Sequence, residues 1–599
     1  MSDARRVVVL AVACLVCVCV TAGEDWRELV KQAEPLLPPG AGQVLAMPPD
    51  LGLAKPCEAT DTPAQSLMHI TIKQGISQSW KALIGKNFSA PLDKGAVCLL
   101  TLRARTLAST EASGRGYAVA NVQINAAPYE KTLAEGFKPG KDWQVFTFPF
   151  VAKFDVPPGK GGCNIALGFQ AQTLEIADLQ LWKFPAGFAF SRLPLPPKTY
   201  VGREATALWR QAALERIGQL RRRTVAINVV DAAGRPVSGA SVHVEMLRHA
   251  FGFGSAITAR RMNATDADSQ QYQRIVDEHF SRVVMENDLK HEPWKLAQTE
   301  KNGAFRRSWS AALLNWCQAR GISVRGHYLC WGNMEPWTER LEKSGQPQEI
   351  RTQILAHARS LTVFADGHVC EYDAINHPVP FNRVLTDVLG PDIFVTLMQD
   401  FRALTRTPLW INEDLIELNR ATRYFKVLEM LKARGVQPDG AGLMSHFRDG
   451  NLPSIAELQG YLDRLAQLVP HVEVTEYDLE TKDDQLHADH LRDMLILHYA
   501  HPACTGFVMW GFWEAQHWRP DGALWRKDWT ERPGVAVWRE WVKGKWWTRA
   551  DLTTAGDGSA TCSAYHGLHT ITVTQDGRTT TQQATITPQS AAVISIKLP

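Results

Sequence analysis

Between Ser66 and Phe184 apolar and polar residues alternate in short runs. "HITIKQ", "AVCLLTLRART", "YAVANVQI", "WQVFTFPFV", "CNIALGFQ" and "LEIADLQLWKF" are separated by Gly, Pro and Asp. A period of two with β-branched and aromatic content predicts strands. Six or more of them without a helical period predict a jelly-roll or sandwich over residues 66–185. Carbohydrate-binding modules have this layout, and a module of that kind is expected here. After the break "LPLPPK", "EATALWRQAALERIGQLRRR" carries apolar residues at helical spacing, and "VAINVVDAAGRPVSGASVHVEM" reads as two strands around a turn. A linker helix and a β-hairpin lead-in are therefore expected over 186–249.

From 250 to 545 short apolar runs alternate with amphipathic stretches. Candidate strands are "FGFGSA", "RVVMEN", "SVRGHYLCW", "EYDAIN", "PLWINE", "GAGLMSHF", "VEVTEYDL" and "GFVMWGFW". Eight such units predict an α/β fold of the (β/α)8 TIM barrel type, which typically takes about 250 residues plus insertions. A doubly wound sheet would want a Gly-rich phosphate turn, and no GxGxxG follows a strand. The Thr-rich end, 546–599, alternates around Asp-Gly turns. It is expected to be a small C-terminal β-domain packed on the barrel. The Pro- and Gly-rich stretch 23–65 reads as a linker.

At the N-terminus, Arg5 and Arg6 precede an apolar run from Val7 to Val20 and then Thr21-Ala22-Gly23. This is the layout of a signal peptide, assigned to 1–22, too short to span a bilayer. A secreted or periplasmic protein is expected, with no membrane association beyond that segment. The 65 basic and 62 acidic residues give a net charge of +3, which excludes nucleic-acid binding by bulk charge. Of the 11 Cys, none outside the leader forms a CxxC pair, so no metal site is expected, nor any cofactor. In an exported protein some of them can pair, Cys98 with Cys163 for example, but spacing leaves the connectivity open. A monomer is expected.

In a barrel of this type the reactive groups sit at the C-terminal ends of the strands. Here those ends carry Glu286, Asn287 and Lys290, then His327 and Trp331, Asn376 and His377, Asn412, Glu413 and Asp414, His446, Glu476 and Asp478, and Trp510 and Trp518. Amides and imidazoles bond hydroxyls, and indole faces stack on pyranose rings, so the collection suits a sugar cleft. Taken singly, each of these residues is more often a surface charge or a core side chain than a site residue. Their joint placement at strand ends carries the reading.

Across 250–545 the order of motifs resembles glycoside hydrolase family 10, the retaining endo-1,4-β-xylanases. "FGFGSAI" with "HFSRVVMENDLKHEPWK" is similar to the opening strands, "VRGHYLCW" to an RGHxLxW segment, and "YDAINHP" stands in the place of WDVVNE. "LWINEDL" stands in the place of the family's Asn-Asp-Tyr strand, "DGAGLMSHF" in that of DGIGxQxH, and "VEVTEYDL" matches the nucleophile strand. The resemblance implies Glu476 as nucleophile, with His446 orienting it and Asn376 bonding the sugar 2-hydroxyl. Glu286, Asn287, Lys290, His327 and Trp331 would hold substrate, and Trp510 and Trp518 would wall the cleft. The implied partner is a polysaccharide, xylan or a related β-glycan.

Three positions depart from the pattern. His377 stands where the acid/base Glu belongs, Gly332 where many members carry a His, and Met444 where a Gln is expected. Imidazole can give and take a proton near neutrality, which makes His377 the candidate acid/base. Glu413, at the end of the neighbouring strand, is the candidate substitute acid. Three readings stay open. The first is a retaining glycoside hydrolase on β-1,4-linked polysaccharide. The second is a catalytically impaired polysaccharide-binding protein that has lost the proton donor. The third is a glycosidase of the same barrel clan with another substrate.

Overall fold

A computed structural model describes residues 25–599 apart from 41, 58–66, 76–78, 112–113, 194–197, 332–345, 380–382, 415–420 and 451. The leader at 1–22 and Gly332 lie outside the described residues. The chain divides into two compact units, one running to residue 197 apart from the short stretch 110–113, the other from Lys198 to Pro599. Among the described residues no helix is long and apolar enough to cross a membrane.

The first unit is a sandwich of two antiparallel sheets. One sheet takes Gly52–Cys57, Leu67–Ile72, Gln172–Lys183, Val97–Ser109 and Gln144–Val151 in that order, with Glu34–Pro35 also paired to Gln172–Lys183. The other takes Gln43–Ala46, Leu83–Phe88, Gly161–Ala166, Ala118–Ile124 and Lys131–Phe137. Alternate residues of both sheets, among them Ile70, Ile84, Leu100, Val122, Ile165 and Ile176, meet in one core, as alternation requires of two stacked sheets. The reading of 23–65 as a linker is corrected: three of these strands lie inside it. Two of them contain Pro, Pro35 and Pro56, and strands outside a sheet's centre tolerate Pro because fewer of their N–H groups must pair. Cys98 and Cys163 are buried in this core as free thiols, so the suggested disulfide is not formed. Burial pushes both thiols up to about 12.

The second unit holds eight parallel strands: β1 (Gly252–Ile257), β2 (Arg282–Met285), β3 (Ser323–His327), β4 (Glu371–Asn376), β5 (Leu409–Glu413), β6 (Gly440–Leu443), β7 (His471–Glu480) and β8 (Cys504–Met509). Each pairs with the next, and β8 pairs with β1, so the sheet closes into a (β/α)8 barrel. The strands are buried along most of their length, as expected when helices cover a closed parallel sheet. One helix start illustrates the local chemistry: Ser454 and Glu457 form a reciprocal cap before Ile455–Ala466.

Within the barrel buried charges of opposite sign are paired. Arg325 donates to Glu371 at 2.6 Å and to Asp373 at 2.7 Å, Arg282 donates to Glu473, and Arg325 lies 3.3 Å from Glu473. Such charges are tolerated inside only because each faces its opposite at hydrogen-bond distance.

The lead-in and the C-terminus correct the expected boundaries. Arg222–Val230 and Ser241–His249 do not pair as a hairpin. The first joins Ser559–Tyr565 and Val593–Lys597, the second joins Arg549–Thr553 and Gly567–Gln575, and Arg578–Ile586 completes the second sheet. Val225, Ile227 and Val229 face Val242, Val244, Ile571 and Val573 across a common core. Each strand thus buries its own apolar face against the opposite sheet, and 222–249 with 549–597 form one small sandwich. The helix Leu208–Leu220 is docked on the barrel rather than a free linker. Arg210 forms an ion pair at 2.9 Å with the buried Asp493, which also accepts from Tyr200 Oη at 2.8 Å.

Candidate active site

The ends of β4 to β8 converge around Glu476. At Thr475–Glu476 strand β7 slips its register against β8. A bulge of this kind re-aims a side chain, and here Thr475 and Glu476 both reach Asn412 on β5. Asn412 accepts from Thr475 Oγ1 at 2.7 Å through Oδ1. Its Nδ2 donates to Glu476 Oε1 at 2.7 Å and to Asn376 Oδ1 at 3.0 Å. One amide therefore ties together the ends of β4, β5 and β7. Its place depends on Gly442 on β6, where a Cβ would lie 2.3 Å from Asn412 Oδ1.

The other oxygen of Glu476 faces His446 Nε2 at 3.2 Å, and His446 Nδ1 lies 2.9 Å from Asp478 Oδ2. Asp478 also accepts from Trp518 Nε1 at 2.7 Å and from Arg519 at 3.1 Å. Burial alone would raise the pKa of Glu476. The hydrogen bond from His446 and the nearby imidazoles of His327, His446 and His377 outweigh it and hold the carboxyl at about 2. Burial would likewise strip the proton from His446, but Asp478 and Glu476 on either side push its pKa up to about 10. Burial also opposes the charge of Asp478, yet His446 and the basic groups beside it keep its carboxyl below the usual carboxylate range. The arrangement is an ionised glutamate clamped between an amide and an imidazolium, with a second carboxylate behind.

Around this centre stand the other strand-end residues. Trp510 is buried, its ring 5.1 Å from that of His327, and the Lys290 ammonium lies 5.7 Å from its centroid. Lys290 donates to Asn287 Oδ1 at 2.9 Å. Glu286 is held above the usual carboxylate range, by burial first and by the charge of Glu476 in addition. His327 Nδ1 donates to Asp373 Oδ2 at 2.7 Å, and Asp373 in turn pairs with the buried Arg325; burial lowers the pKa of His327. Trp518 remains 51% exposed, its ring 4.8 Å from that of His446.

His377 leaves β4 with a left-handed backbone, φ 51°, a conformation costly for most residues with a side chain and less so for His. Its ring lies 5.2 Å from the indole of Trp331, and its Nδ1 lies 3.1 Å from Glu413 Oε1. Glu413 is fully buried, and it also accepts from the Val379 amide at 2.7 Å and the Asp414 amide at 2.9 Å. A carboxylate that accepts from backbone amides acts as an acceptor toward the imidazole as well, so Nδ1 carries the proton toward Glu413. Met444 is buried, its amide bonded to the Glu413 carbonyl at 3.1 Å.

All the strand-end residues singled out from the sequence thus lie at one end of the barrel. The sequence places Asn412 and Asp478 at strand ends without a specific role, and it singles out neither Thr475 nor Asp373. Asp478 was detectable as a second acid two places after Glu476 on the same strand. The link through Asn412 depends on the β7 bulge, which no local pattern announces.

Residues 243–538 match the family described as Glycosyl hydrolase family 10. The barrel of this chain belongs to that family. An anti-sigma-I factor, RsgI6, of Acetivibrio thermocellus is 31% identical over 372 residues, covering 62% of this chain and 47% of that protein. Endo-1,4-beta-xylanase 2 of Arabidopsis thaliana is 24% identical over 363 residues, covering 59% of this chain and 32% of that protein. This chain spans less than half the length of either. Among solved structures, xylanase 10B from Thermotoga petrophila in complex with xylobiose is 19% identical and covers 49% of this chain and 95% of that one, with a TM-score of 0.42.

Proposed function

We propose that the protein is a retaining glycoside hydrolase acting on β-1,4-linked polysaccharide, xylan or a related β-glycan, with Glu476 as nucleophile and His377 as acid/base. The observation that carries this reading is the clamp on Glu476: Asn412 at 2.7 Å and His446 at 3.2 Å. Such a clamp keeps a buried carboxylate ionised and aimed. In the first step Glu476 attacks the anomeric carbon while protonated His377 gives its Nε2 proton to the departing sugar oxygen. In the second step neutral His377 takes a proton from the water that displaces Glu476. Glu413 is assigned the orienting role, since both its oxygens are already engaged by donors.

A second reading, polysaccharide binding without turnover, is favoured by one observation. The imidazole that stands in place of a carboxylic acid is tied at Nδ1 to Glu413 and packed against Trp331. The two readings part on aryl β-xylosides and β-glucosides with good leaving groups, which need little proton donation. Turnover of such a substrate, abolished in Glu476→Ala, is expected of the hydrolase. Binding of polysaccharide with no turnover of any aryl glycoside is the result that replaces it with the binding protein.

A further inference from the structure

The loop after β8 carries a buried histidine with no part in the two proposed steps. His517 is 6% exposed, and its ring lies in a slot between two glycines. A Cβ on Gly511 would stand 2.9 Å from His517 Cδ2, and one on Gly522 would stand 3.2 Å from His517 Cε1 and 3.3 Å from Asp478 Cβ. Gly511 has a left-handed backbone, φ 120°, which glycine adopts without steric cost.

His517 Nδ1 accepts the backbone N–H of Arg519 at 3.0 Å. That N–H belongs to the peptide joining Trp518 to Arg519, and both of these side chains end on one carboxylate. Trp518 Nε1 donates to Asp478 Oδ2 at 2.7 Å and Arg519 Nη1 to Asp478 Oδ1 at 3.1 Å. The Arg519 guanidinium also lies 4.2 Å from the centroid of the Trp518 ring. An imidazole that accepts at Nδ1 carries its proton at Nε2. Among the described residues His517 Nε2 has no hydrogen-bond partner, although it is buried. A polar atom left in that state costs free energy. An alkyl side chain in the same slot would avoid that cost, so the imidazole is accounted for by what its other nitrogen holds.

We propose that His517 is a positioning residue: its neutral imidazole fixes the Trp518–Arg519 peptide and so sets the indole of Trp518 at the cleft. The neutral state is the one its surroundings favour. Burial first, with His446, His487 and Arg519 beside it, outweighs the opposing charge of Asp478 and pushes the imidazole down to about 4. What the indole does to a bound sugar rests on the glycoside hydrolase reading above; the hold on the loop does not. An amide oxygen would serve in place of Nδ1, because an Asn side chain reaches the N–H two residues on.

The test uses the full chain with His517→Leu, which fills the slot without an acceptor, and His517→Asn, which restores one. Hydrogen exchange at the Arg519 amide, read by mass spectrometry on peptides covering 515–520, is expected to quicken by about tenfold or more in His517→Leu and to return toward the parent in His517→Asn. On an aryl β-xyloside and on xylohexaose, His517→Leu should raise KM by about three- to tenfold with a smaller fall in kcat, and His517→Asn should recover most of the loss. Trp518→Ala should raise KM similarly, and the double variant should add little, because both changes act through one contact. Unchanged exchange at Arg519 in His517→Leu would overturn the proposal. So would additive effects of His517→Leu and Trp518→Ala, or a His517→Asn no better than His517→Leu, since each marks a merely structural side chain. If the parent neither binds xylohexaose nor turns over the aryl glycoside, the hydrolase reading falls, and exchange at Arg519 still decides the hold on the loop.

Discussion

Glu413 on β5 receives His377 Nδ1 at 3.1 Å while its other oxygen holds the Val379 amide at 2.7 Å. In the proposed mechanism the pair sets which nitrogen of the imidazole gives and takes the proton. Replacing the carboxylate by an amide of the same shape weakens that constraint. Glu413→Gln is therefore expected to lower kcat on polymeric xylan by about 10²-fold, within the range general acid–base help is worth. Activity on aryl glycosides with good leaving groups should change far less. Equal losses on both substrates would mean that Glu413 supports the fold rather than proton transfer.

The pH profile separates the two groups proposed to act in catalysis. With Glu476 held at about 2, the proposed nucleophile stays ionised near neutrality and should set no limb there. In the proposed mechanism His377 supplies the proton of the first step, so an alkaline limb of the rate on xylan is expected to depend on it. His377→Ala should remove that limb and cost about 10²–10⁴-fold in rate. An alkaline limb unchanged in His377→Ala would assign proton donation elsewhere.

His446 makes a prediction about stability. Its pKa is raised from 6.5 to about 10 by Asp478 and Glu476, so the folded state holds its proton more tightly than the unfolded chain. The resulting stabilisation is fully present below about 6.5 and is lost as pH rises through about 10. Thermal unfolding followed from pH 6 to pH 10 should show Tm falling toward the alkaline end, and His446→Asn should flatten that part of the curve. A fall of the same size in both proteins would place its cause in other groups.

Much of this was legible in the chain, and the reasons are physical. The eight barrel strands announce themselves because closed parallel strands are buried on every side and read as apolar runs ending in polar groups. Glu476, His446, Trp510 and Trp518 stand at those ends, within reach of a linear reading. The pairing of Arg222–Val230 with strands more than 300 residues away was not legible, because a turn between two strands looks the same whether they pair or face each other. Pro35 and Pro56 lie in two of the strands within 23–65 and read as breaks. Asn412 looked like one more strand-end amide until the β7 bulge brought Thr475 and Glu476 to its two ends.

The buried charges under the site offer a further check. Asp373 joins Arg325 at 2.7 Å to His327 at 2.7 Å. Asp373→Ala leaves a buried guanidinium short of one partner, and a loss of about 3 kcal/mol in unfolding free energy is expected, measured by denaturant titration. A change below about 0.5 kcal/mol, typical of surface substitutions, would show that Glu371 and Glu473 suffice to hold Arg325.

The claim that Glu476 is the nucleophile is tested most directly by trapping the covalent intermediate. The protein is incubated with an activated aryl glycoside bearing fluorine on the carbon next to the anomeric centre, digested, and analysed by peptide mass spectrometry. The account predicts one added glycosyl group, on the peptide that contains Glu476 and on that residue. A glycosyl group on any other residue, or none although the aryl group is released, would contradict it.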